Sequence, residues 1–129
     1  MTAKQQTVNY EDFIKSKVVI AEDFGIDTAN IEYTPILFQH QKDIVDFCLK
    51  GGRRAIFASF GLGKTFMQLE IAKQIIAETG KPFLICCPLG VSGEFKRDNT
   101  KLGTGHTITY ITDTDDIPKD IEPQIYLTN

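Results

Sequence analysis

The run Ala58-Ser59-Phe60-Gly61-Leu62-Gly63-Lys64-Thr65 links an apolar stretch, Ala55-Ile56-Phe57-Ala58, to an amphipathic one from Thr65 to Glu78. A strand, a glycine-rich turn and a helix, in that order, are the setting in which such a run works as a phosphate-binding P-loop. Gly61 and Gly63 allow a sharp turn and bring backbone N–H groups close to a polyphosphate. The helix that starts there adds unpaired N–H groups and the positive end of its dipole. Lys64 supplies a point charge for the β- and γ-phosphates, and Thr65 a hydroxyl for Mg²⁺. The plainer reading is an ordinary glycine turn beside a surface lysine. Residues and setting together favour the P-loop, with Phe60, Gly61, Leu62, Gly63, Lys64 and Thr65 as the nucleotide-contacting run.

Alternation of strands and helices implies a parallel α/β sheet of three layers. Apolar spacing predicts a short helix over Tyr10–Lys17, a helix over Phe38–Lys50 ended by Gly51-Gly52, and the helix after the loop, stopped by Gly80. In that third helix Phe66, Leu69, Ala72, Ile75 and Ile76 share one face. A less regular helix is expected over Val91–Lys101. Strands are expected at Ala55–Ser59, Phe83–Cys87, Thr107–Thr112 and Gln124–Thr128, with a shorter one at Val18-Val19-Ile20. Phe83–Cys87 is nearly all apolar, as for a strand covered on both faces. Residues 1–9 read as loose, Asp23–Pro35 as a polar connector, and Asp113–Glu122 as an acidic turn.

The order of motifs carries a resemblance. Ala58 stands where the general P-loop has its first glycine, and A-x-x-G-x-G-K-T resembles superfamily 2 helicases and translocases. Gly61-Leu62-Gly63-Lys64-Thr65 is similar to the Swi/Snf-type branch. Upstream, Leu37-Phe38-Gln39-His40-Gln41 resembles the L-x-x-[HY]-Q element of that family. Downstream, Pro82 to Leu89 resembles its second strand and DNA-contacting turn, and Val91 to Phe95 with Lys96-Arg97 the following helix. Ile125-Tyr126-Leu127-Thr128-Asn129 resembles the strand the family ends with Thr-Asn-Tyr-Glu. The whole is similar to helicase-like proteins of phage and mobile elements, some of them associated with DNA methylases.

The resemblance implies a fold and a function. Residues 35–129 would form part of a RecA-like P-loop NTPase lobe, incomplete because the Walker B pair would follow Asn129. Residues 1–34 would be an N-terminal extension. The chain would be the ATP-binding fragment of a nucleic-acid-dependent ATPase, using ATP and Mg²⁺. It would need a second helicase lobe, and it would carry no catalytic residue and negligible hydrolysis alone. Pro88, Leu89 and Thr128, with Lys96 and Arg97, would face nucleic acid, DNA before RNA. The alternatives are a non-catalytic nucleotide-binding remnant or interaction module and, behind it, a small P-loop kinase. The kinase would need acceptor-binding residues and a lid, and neither pattern is seen.

Gln41 offers an amide donor and acceptor that match N6 and N7 of adenine. The alternative is an exposed glutamine at a helix start. Phe24 or Tyr33 could stack on the base, although core packing is the commoner use of either ring. His40 and His106 have no partner pattern. Asp113, Asp115 and Asp116 lack the glycine and distal glutamate of a calcium loop and read as a solvated turn.

Composition is consistent with a globular, single, incomplete unit. The chain has 129 residues, 42% apolar and 24% charged, with a net charge of −3. Residues 35–105 hold ten basic and six acidic side chains, whereas the flanking segments are acidic. A basic middle suits a polyanion, though surface lysines are commonly just solvated. No apolar run is long enough for a membrane span, and Met1 to Gln6 is no signal peptide. Cys48, Cys86 and Cys87 lack metal spacing and are expected to be reduced core residues of a cytoplasmic protein.

Overall fold

The structure is a computed structural model and describes residues 9–17 and 21–129. The strand expected at Val18–Ile20 and nearly all of the segment 1–9 lie outside the described residues. The elements in order are helix α1 (Tyr10–Lys17), α2 (Gln39–Gly51), α3 (Lys64–Thr79), strand β1 (Phe83–Cys86), α4 (Ser92–Leu102), β2 (Ile108–Tyr110), a 3₁₀ turn at Thr114–Asp116, and β3 (Ile125–Thr128). This is an α/β unit with one small parallel sheet.

The sheet order is β1-β3-β2, with Phe83 and Ile108 both opposite Ile125. Side chains alternate across a strand, so Ile85, Ile125 and Leu127 fall on one face together with Phe83, Ile108 and Tyr110. Leu69, Ala72 and Ile76 of α3 and Phe95 and Leu102 of α4 pack on that face, and Leu37 joins them. Ile125 and Leu127 are fully buried, worth about 1.5–3 kcal/mol each. The central strand therefore anchors the core.

Two expectations about the sheet are corrected. Helices cover one face of the sheet among the described residues, so two layers replace the expected three. On the other face Leu84 is 57% exposed, and Tyr126 is covered by Ile117 and Ile121 of the acidic segment, which share a cleft with it. The second correction concerns Ala55–Ser59. This segment makes no ladder and is not a strand. A strand exists only through a neighbour's N–H and C=O groups, and the described sheet ends at β1. Phe57 is accordingly 99% exposed. Period two also explains Cys86, which was expected in the core. It falls on the same face as Leu84 and is exposed, whereas Cys87 is buried and Cys48 half-buried. Burial pushes the thiols of Cys48 and Cys87 up.

The connector before α2 is a docked strap. The backbone N–H groups of Phe24, Gly25 and Ile26 donate to the carbonyls of Gly51, Lys50 and Leu49 at 3.2, 2.9 and 2.9 Å. They satisfy the carbonyls that a helix C-terminus leaves open. Gly25 is required there because a Cβ would overlap the Leu49 carbonyl oxygen. Arg54 fastens the strap through Asp23 at 2.7 Å. Ile26, Ile31 and Tyr33 then cover Val45, Leu49 and Met67 in the groove between α2 and α3.

Tyr33 Oη donates to Asp46 Oδ1 at 2.9 Å, and Lys50 pairs with Asp46 at 2.8 Å. Burial alone would raise the Asp46 pKa. Hydrogen bonds from Lys50, Thr28 and Tyr33 outweigh it and hold the carboxyl below its ordinary value. The same burial, aided by Asp46, pushes the Tyr33 hydroxyl up to about 12. A depressed carboxyl contributes stability that is present above its unfolded pKa and lost as pH falls through the folded one. Asp46→Asn should therefore destabilise the chain at pH 7 by on the order of 1 kcal/mol. In urea melts the gap from wild type should close below about pH 4, the unfolded aspartate value. A gap independent of pH would show that the Asp46 charge is not what holds the strap.

Candidate functional site

After the unpaired segment Ala55–Ser59 the chain turns through Phe60, Gly61 and Leu62 into α3. Gly61 and Gly63 have φ of 76° and 72°, a region that a side chain disfavours. The first α3 hydrogen bond runs from the Met67 N–H to the Gly63 carbonyl at 3.1 Å. The N–H groups of Lys64, Thr65 and Phe66 are therefore left open at the helix start. Lys64 Nζ donates to the carbonyls of Ala58 and Ser59, both at 3.0 Å, and so ties the two sides of the loop together. An ammonium has three donors, so one remains. Lys64 Nζ also lies 5.4 Å from the centre of the fully exposed Phe60 ring.

Gln41 lies against this loop and is 6% exposed, so it is not the exposed glutamine of the plainer reading. Its Oε1 accepts from the Phe38 N–H at 3.0 Å, closing the start of α2. Its Nε2 donates to the Leu62 carbonyl at 3.1 Å. One lone pair and one N–H remain on the amide. A Cβ on residue 63 would overlap that Nε2. Gly63 is thus fixed twice, by its φ and by the approach of Gln41.

Ile36, Phe38, Gln41, Gly61, Gly63 and Phe66 line a cleft of about 300 Å³ beside the loop. Its exposed aromatic wall is Phe38, whose ring stacks on His40 with centroids 5.8 Å apart. Phe24 and Tyr33, the two rings considered for base stacking, stand elsewhere. Phe24 lies at the far end of α2, under Arg53, and Tyr33 is held on Asp46. Nothing in the residue types distinguished Phe38 from them. The only signal was its place three residues before Gln41, where a helix-start amide reaches back.

A second cleft, of about 220 Å³, contains Lys64, Thr65, Gln68, Pro88 and Glu94. The loop and the turn after β1 therefore open at one edge of the molecule. Gly90, at φ 95°, turns the chain after the exposed Pro88 and Leu89. The Thr128 carbonyl accepts from the Cys87 N–H at 2.8 Å, so Thr128 adjoins the same turn. Lys96 and Arg97 are exposed on α4, directly after the buried Phe95. Neither has an ion-pair partner among the described residues. Pro88, Leu89 and Thr128 come together at this edge, while Lys96 and Arg97 lie along the helix that leaves it.

Among the described residues no three His, Cys, Asp or Glu side chains gather as a metal site. Thr65 is half-buried and offers a single hydroxyl. In the acidic turn, Asp116 accepts from the Thr112 hydroxyl and from the N–H groups of Thr112 and Asp113. These bonds hold its carboxyl below the usual range. Asp116 and Asp113 are thus occupied in shaping an exposed turn.

Gly63→Ala should lower stability by about 2–5 kcal/mol, the left-handed strain of about 1–2 together with about 1–3 for displacing Gln41. Gly61→Ala meets no atom within 4 Å and should cost only the left-handed strain, about 1–2 kcal/mol. Denaturant melts of the two variants test the ordering. Equal losses would mean that Gln41 does not brace the loop.

No family model, no curated protein and no solved structure matches the chain.

Proposed function

We propose that residues 58–65 form a phosphate-binding P-loop. On this reading the chain is the ATP-binding part of a RecA-like, nucleic-acid-dependent ATPase of the helicase or translocase type. One observation carries it. A lysine is fastened across a loop with two left-handed glycines, immediately before three open N–H groups of a sixteen-residue helix. Open donors beside a positive charge are what a polyphosphate requires. The adjoining cleft has apolar and aromatic walls and an amide with two unused hydrogen-bonding positions, the chemistry of a purine site.

The roles follow from the positions. The Gly61 to Phe66 backbone would cradle the phosphates, and Lys64 would use its remaining donor on them. Phe38 and Ile36 would flank the base, and Gln41 would address its edge while bracing Leu62. The residues suit a magnesium ion as far as one hydroxyl can, since Mg²⁺ is commonly held by few protein ligands together with phosphate oxygens. Thr65 would hold it, and when bound it supplies neutralisation of phosphate charge. Pro88, Leu89, Thr128, Lys96 and Arg97 would offer a surface for a nucleic-acid backbone.

Lys64→Ala should weaken magnesium-ATP binding by about 1.5–3 kcal/mol, the range for charge-assisted hydrogen bonds. Isothermal calorimetry checks this, and equal affinity of the two proteins removes the phosphate-loop reading. For the second surface, replacing Lys96 and Arg97 by Glu should weaken binding to single-stranded DNA. It should also reduce the slope of log K against log salt by up to about 1.5. An unchanged slope would assign both side chains to plain solvation.

A further inference from the structure

Glu70 is the one buried acidic side chain among the described residues, and none of the roles above uses it. It sits in α3, is 0% exposed, and meets donors on both oxygens. The Thr34 N–H reaches Oε1 at 3.3 Å, and Gln74 Nε2 reaches the same oxygen at 2.8 Å. The Thr34 hydroxyl donates to Oε2 at 2.6 Å. That hydroxyl in turn accepts from Lys73 Nζ at 2.9 Å, which fixes the direction of its own proton. Lys73 Nζ lies 3.7 Å from Glu70, a longer pairing.

A buried carboxylate is costly unless its oxygens are satisfied. Apolar contact would join two segments without fixing their register. Several directed hydrogen bonds onto one residue do fix it, and Thr34 is that residue. The segment that follows leads straight to the cleft. The Leu37 N–H donates to the Thr34 carbonyl at 3.1 Å, so residues 34–37 form a turn. Leu37 points into the core and is buried. Ile36, within the turn, and Phe38, just after it, are cleft walls. Phe38 then binds Gln41, and Gln41 binds Leu62. A ring closes: loop, α3, Glu70, Thr34, turn, Phe38, Gln41, loop.

We infer that Glu70 is a positioning residue that, through Thr34, holds the base-side wall of the cleft in register with the phosphate loop. This rests on the nucleotide reading above and extends it to the nucleoside half of the ligand. The phosphate half depends on Glu70 far less, because Lys64 closes the loop locally. Every group facing the Glu70 oxygens donates to them, so the position calls for acceptors, and an apolar side chain supplies none.

The test is calorimetry of the full chain with two probes, magnesium-ADP and magnesium pyrophosphate. Thr34→Val keeps the shape and removes the hydroxyl. It should weaken ADP about tenfold, the cost of about one lost oriented contact, and leave pyrophosphate within about twofold. Glu70→Leu, which removes both acceptor oxygens, should do the same, and Thr34→Ser, which keeps the hydroxyl, should behave as the wild type. Lys64→Ala, by contrast, should weaken both probes. If Thr34→Val weakens both probes in equal proportion, or leaves ADP unchanged, the positioning role is overturned. If the wild type binds neither probe, the nucleotide reading itself fails, a result distinct from the other two. Thr34→Val also decides the matter should Glu70→Leu not fold.

Discussion

The amide of Gln41 lies where a side chain on residue 63 would have to stand, and much of the candidate site depends on that one shared space. The glycine at 63 serves two neighbours at once. Its left-handed φ turns the chain into α3, and its missing Cβ admits Gln41. Gln41 in turn is fixed at its other end by the Phe38 N–H. The start of α2 and the start of α3 are therefore set against each other by a contact only a few atoms wide. Packing between the helix bodies, through Val45, Leu49 and Met67, keeps the two axes in place. The polar contact at the top sets the register of the loop between them.

The α/β class was legible in the sequence, because alternating periodicities reflect which faces are buried. So were α1 to α4 and the three paired strands, each within a residue or two. Two kinds of feature were not. The first was pairing. Ala55–Ser59 has the apolar run of a strand, and its exposure alternates, but propensity says nothing about whether a neighbouring strand is present. The same gap left Leu84 and Cys86 on a face that was expected to be covered. The second was long-range polar contact. Glu70 reads as one more charged helix residue, and only its closeness to Thr34, thirty-six positions earlier, reveals otherwise. Gln41 lies between these cases. Its residue type and place marked it for the site, while its attachment to the Leu62 carbonyl could not be read from spacing.

The strap at residues 21–35 also changes how the helices are understood. Its backbone completes the C-terminus of α2, and its side chains fill the α2–α3 groove. The polar character that made it look like a linker belongs to Asp23, Asp27 and Glu32, while Ile26, Ile31 and Tyr33 turn inward. A segment that alternates in this way can lie flat on a helix pair without regular structure of its own. Its backbone groups then find partners in helix ends instead of ladders.

The central position of β3 has a consequence for how the molecule assembles. The strand that both β1 and β2 need is the last of the three along the chain. Neither flanking strand can form a ladder until β3 arrives, and the β1 pairing closes a loop that contains α4 and β2. Loop closure of this kind is entropically uphill before any contact rewards it. The helical pair α2–α3, neighbours in the chain, can meet much earlier. Folding should therefore begin with this pair and the glycine loop it carries, and the sheet should be the late, cooperative step that seals the core beneath it.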